Sequence, residues 1–138
     1  MMPSHDDLAF RDDFEAGQVP PADFTHRAHL RLAYVLLCDA PVETALTRMR
    51  RALHAFLRRN GVPAEKYHET LTRSWLMAVR HFMDRAAPCA SFDAFLAQDD
   101  RPLDTRIMLT HYSKDALFSD AARAAFVAPD LQAIPPAA

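Results

Sequence analysis

Phe24-Thr25-His26-Arg27-Ala28-His29-Leu30-Arg31-Leu32-Ala33-Tyr34-Val35-Leu36-Leu37-Cys38 is the stretch from which the fold is read. Leu30, Ala33 and Leu37 recur at helical spacing, and His26 and His29 stand on the same face, one turn apart. Thr25, or Asp23 just upstream, carries a side chain suited to cap such a helix. An imidazole on an apolar stripe must find hydrogen-bond partners or a metal once it leaves water. The pattern returns in Tyr67-His68-Glu69-Thr70, where His68 leads into Leu71, Trp75, Ala78 and Phe82. Imidazoles from two helices are therefore expected to point inward.

Outward from these stretches the chain reads as helical throughout. Its only glycines are Gly17 and Gly61, and no alternating or β-branched run is long enough for a strand. Prolines fall where helices begin or end. The spacing predicts helices over 25–38, 42–60, 64–85, 92–98 and 102–112, then a short one over 120–127. Gly61 sits where a C′ glycine belongs, and Ser91 and Ser119 are placed as N-caps. The expected fold is all-α: a compact antiparallel bundle of about five helices with a short C-terminal helix and a proline-rich tail. Residues 1–22 read as an acidic, mobile N-terminal segment, 23–131 as one domain, and 132–138 as the tail.

Short connections make neighbouring helices antiparallel, so the first and third should run parallel. His26, His29 and His68 would then share one level, and a returning fifth helix would bring His111 there. Neutral imidazole is the commonest metal ligand, and three of them leave an open coordination position. The pattern suggests one divalent transition metal: zinc with an activated water, or iron or copper for oxygen chemistry. His26, His29, His68 and His111 are the candidate ligands. Glu69, with Tyr67, is the candidate for proton transfer, and Arg27, Arg73, Thr70 and Trp75 are candidates for holding a small metabolite, the arginines suiting an anionic one. In the alternative, the molecule is a non-catalytic helical module that binds a ligand or protein, its histidines belonging to the core.

Composition narrows the classes further. The 138 residues carry a net charge of −2 with both signs mixed, so no sequence-wide field attracts nucleic acid or anionic lipid. The arginines of the second helix, Arg48, Arg50, Arg51, Arg58 and Arg59, lack any helix-turn-helix or aromatic stacking pattern and read as a solvated face. Two distant cysteines, Cys38 and Cys89, suit a reducing compartment. No basic start with an apolar run and no membrane-length segment appears. A cytoplasmic protein is expected, with a small-molecule substrate and neither nucleic acid nor membrane as partner; a homodimer is left open.

The combination of Phe24-x-His26-x-x-His29-Leu30, Tyr67-His68-Glu69-Thr70 with Trp75, Tyr112-Ser113 before Leu117-Phe118-Ser119, and Ala122-Arg123 through Leu131 resembles a family of small, uncharacterised all-helical bacterial and fungal proteins. The likeness spans about residues 24 to 135. It implies that the two histidine stretches occur together, and it supplies no reaction.

Overall fold

Ser4 and Asp7 open the first helix with a reciprocal capping box: the Ser4 hydroxyl accepts from the Asp7 N–H at 3.0 Å, and the Asp7 carboxylate accepts from the Ser4 N–H at 2.9 Å. This computed structural model describes residues 1–135, and residues 136–138 of the expected tail lie outside the described residues. The segment read as mobile is instead helix α1 (His5–Glu15), whose Phe14 is buried. Phe14 stacks on Phe24 and Phe56 at centroid distances of 4.3 and 5.1 Å. Those contacts hold the acidic helix against the core. Gly17 follows with φ +77°, and an added Cβ there would come within 2.8 Å of Arg59 Cδ.

Helix α2 (His26–Leu37) is capped by Thr25, whose hydroxyl accepts from the Ala28 N–H at 3.2 Å. Every residue from Leu32 to Leu37 is buried, so this helix is enclosed on all sides beyond its first turns. Helix α3 (Val42–Arg59) ends as expected at Gly61, with φ +66°. Helix α4 (Glu69–Arg85) begins later than its sequence suggests. Ala64–Lys66 form a separate 3-10 turn, and Tyr67 and His68 are extended, so His68 is the N-cap of α4 rather than a second-turn residue.

Ion pairs show the register. Arg50 pairs with Glu69 and Glu43 with Arg73, which sets α3 antiparallel to α4. His26 packs on Trp75 and Arg80 donates to the Leu37 carbonyl, which sets α2 parallel to α4. The three helices therefore bring the start of α2, the end of α3 and the start of α4 to one end of the molecule, as the connection lengths predict.

Beyond α4 the chain is all-helical still, but in smaller pieces than expected. Helix α5 (Phe92–Gln98) has its expected bounds and Ser91 cap. In place of a helix over 102–112 there are 3-10 turns at Arg101–Leu103 and Thr105–Ile107, then α6 (Met108–His111) and α7 (Lys114–Leu117). The cause is local: Asp99 and Asp104 accept from the backbone N–H two residues on, at Arg101 and Arg106, and these turns compete with a continuous helix. Helix α8 (Asp120–Ala124) stops short of 127 because the Thr70 hydroxyl donates to the Ala125 carbonyl and accepts from the Val127 N–H. The expected five helices are thus eight α-helices, with no strand among the described residues. No helix among them is long and apolar enough to cross a membrane.

Asp7 ties three helices together. It is 3% exposed, and it accepts from the Phe92 N–H at 2.9 Å and from Arg31 Nε at 2.8 Å as well as from Ser4. Burial pushes its carboxyl up, but the bonds from Ser4, Phe92 and Arg31 outweigh this and hold it below the usual carboxylate range. The carboxylate therefore stabilises the fold above the pKa of the unfolded group, about 3.9, and that contribution is lost as pH falls through the folded value. Asp7→Ala is expected to cost about 3 kcal/mol in urea unfolding at pH 7, since it leaves buried donors unpaired. The difference between variant and native protein should shrink below pH 4.

Candidate functional site

A cavity of about 590 Å³ opens at the shared end of α2, α3 and α4. Its walls are mainly aliphatic and aromatic: Leu30, Ala33, Met49, Leu53, Phe56 and Leu76 form much of the inner part. His26, His29 and His68 all line it, so the inward direction read from their spacing is met. What the three rings do there differs from the expectation.

His68 is fully occupied by backbone partners. Its Nδ1 accepts from the Leu71 N–H at 3.0 Å, which is the N-cap bond of α4. An acceptor at Nδ1 makes Nε2 the protonated nitrogen, and Nε2–H donates to the Leu117 carbonyl at 2.7 Å. Burial lowers its pKa, in line with this neutral form. His26 Nε2–H donates to the Pro102 carbonyl at 3.0 Å, and its ring stands edge-on to Trp75 at 4.7 Å. His111 lies away from the cavity, where Nδ1–H donates to the Gln132 carbonyl at 2.7 Å.

These bonds overturn the metal reading. Among the described residues, no group of three His, Cys, Asp or Glu side chains is placed to hold a metal ion. His68 has no lone pair left to give, and backbone carbonyls fix the rings of His26 and His111. The expected zinc, iron or copper centre, and the hydrolytic or oxygen chemistry built on it, are corrected accordingly.

Glu69 faces elsewhere too. Arg50 grips its two carboxylate oxygens at 2.9 and 2.6 Å, and the Tyr67 hydroxyl donates to it at 2.6 Å. Arg50 holds this carboxyl well below its ordinary range, and burial followed by the Glu69 bond pushes the Tyr67 hydroxyl up. A carboxylate so held is a poor proton acceptor near neutral pH. It borders a separate, more open hollow with Arg50, His54 and Arg123.

Of the residues expected to hold a substrate, Trp75 lines the cavity; so does Tyr67, by its ring. Arg27 pairs with Asp93 at the surface and lies over Phe92, while Arg73 pairs with Glu43 and lies over Phe126. Thr70 is buried among the bonds that stop α8. The sequence reading did not single out Lys66, Thr72 or Phe118, which also line the cavity. Lys66 precedes the cap of α4 and Phe118 follows α7, positions that only the folded path of the chain brings together.

His29 is the unusual member. Its ring lies 4.5 Å from that of Phe24, and neither nitrogen has a hydrogen-bond partner among the described residues. Burial, reinforced by the neighbouring His26, pushes its pKa down to about 4. At neutral pH it is an uncharged ring with one free donor and one free acceptor, set in an apolar wall.

No protein-family model, curated protein or solved structure matches the chain.

His68→Ala should lose about 2 kcal/mol in urea unfolding, from the cap and the Leu117 bond together. His68→Asn, which can restore the cap but not reach Leu117, should recover about half of that loss.

Proposed function

We propose that this protein binds a small, largely apolar molecule carrying at least one hydrogen-bonding group, held in the cavity at the shared end of α2, α3 and α4. The volume of about 590 Å³ falls within the range of small-molecule sites. The observation that carries the reading is His29. It is half-buried, it lines the cavity, and neither ring nitrogen has a partner among the described residues, so water or a ligand must complete it. A ligand hydroxyl or carbonyl does so while its apolar body covers Leu30, Leu53 and Phe56.

The remaining imidazoles give the wall its shape. His68 and His26 hold backbone carbonyls at the cavity edge, so the pocket keeps its form without a ligand. Such a preformed site loses little ordering entropy on binding. The reading makes the protein a carrier or sensor of a small molecule and places no reaction in the cavity.

Trp75 is the chain's sole tryptophan and lines the cavity, so its fluorescence reports on the site directly. Titration with 1-decanol is expected to change that signal saturably, with one molecule bound per chain. His29→Leu, which keeps the volume and removes the hydrogen bond, should weaken binding about 5- to 10-fold, the equivalent of one hydrogen bond. Ala33→Leu, which fills the inner part, should weaken it more, with helix content checked by circular dichroism. Absence of saturable binding to the native protein, or unchanged affinity in both variants, would overturn the proposal.

A further inference from the structure

The cavity is polarised along its length, and this says which amphiphile fits it. On α2, His26 and His29 come first and Leu30 and Ala33 follow; on α4, Thr72 gives way to Trp75 and Leu76. The antiparallel α3 runs the other way, with Met49 and Leu53 inward and Leu57 near the open end. From His26 to Ala33 the helix rises about 10 Å, so the polar side chains gather at one end, beside Phe24, Phe56 and Leu57, and the inner end is hydrocarbon.

Charge at the polar end has one sign. Among the described residues no aspartate or glutamate lines the cavity, while Lys66 and Arg106 both do. Arg106 is answered by Asp104, at 3.0 and 3.1 Å. Lys66, on the 3-10 turn before α4, is exposed, and its ammonium has neither an ion pair nor a hydrogen bond among the described residues. The end of the cavity nearest the histidines therefore carries an unanswered positive charge.

We infer that the ligand of this cavity is an amphiphilic monoanion, its hydrocarbon part lying toward Ala33 and Leu76 and its anionic head at the His29 and Lys66 end. The inference rests on the binding reading above and adds the head-group charge to it. Neutral His29 donates one hydrogen bond to a head oxygen, and Lys66 supplies the countercharge from the rim. A cationic head meets only positive or neutral groups there and is disfavoured.

The test compares three probes with one tail, decanoate, 1-decanol and decylammonium, at pH 7.5 and low ionic strength, by Trp75 fluorescence. Decanoate is expected to bind about 3- to 5-fold more tightly than decanol, as suits a charge pair at an exposed rim, and decylammonium the least tightly. Lys66→Glu should weaken decanoate about 10-fold and leave decanol within about twofold. Raising the salt to 0.5 M should erase most of the decanoate preference. Decanol binding as well as or better than decanoate, or Lys66→Glu affecting both alike, overturns the anionic head while leaving the cavity a binding site. Failure of all three probes to bind the native protein overturns both readings. Lys66 lies on the surface and outside the α-helices, so its substitution leaves the fold intact, as unchanged urea unfolding would verify.

Discussion

The His68 ring joins two parts of the molecule that are far apart in sequence. Nδ1 starts α4 by capping it, and Nε2–H holds the Leu117 carbonyl at the end of α7. Because one ring makes both bonds, the start of α4 and the end of α7 are set at a fixed separation. Leu117 and Phe118 are thereby kept on the cavity wall. The tautomer follows from the same pair of bonds, and burial reinforces it by penalising the imidazolium. The same two bonds keep Leu117 on the cavity wall and leave the His68 ring without a free lone pair.

The imidazoles illustrate three outcomes for the same residue type at an apolar boundary. His68 satisfies both nitrogens with backbone. His26 satisfies one and presents its ring to Trp75. His29 satisfies neither and remains neutral in a wall of hydrocarbon. His29 alone offers both a donor and an acceptor without breaking an existing bond, while His26 keeps an acceptor at Nδ1. The cavity is hence of modest polarity inside, with the Lys66 charge at its rim. In the second hollow Arg50 and Glu69 neutralise each other, beside Glu65, Asp120 and Arg123.

Much of the central frame was legible from local chemistry. Thr25, Ser91 and Ser119 cap the helices their spacing suggested, and Gly61 ends α3 in a positive-φ turn. The inward direction of His26, His29 and His68 followed from the 3.6-residue period. Their partners were not legible, because Pro102 is 76 residues from His26 and Leu117 is 49 from His68. Hydrogen bonds to backbone carbonyls leave no mark on residue type. A histidine held by a carbonyl and one held by a metal look alike in sequence. Helix α1 differs for another reason: its acidic residues read as a mobile segment, although Ser4-x-x-Asp7 is a capping-box spacing. The broken stretch around Pro102 carried a signal too, in aspartates that precede Arg101 and Arg106 by two residues.

The state of His29 is the claim on which the binding account stands. Its ring Hε1 resonance can be followed by proton NMR from pH 7.5 down to pH 3.5, and assigned with His29→Leu. The account predicts a midpoint near 4, because protonation would place an unpaired charge in the hydrocarbon wall. A midpoint near the ordinary 6.5 would contradict it, since the ring would then be solvated or paired and no longer the vacant partner that a ligand completes.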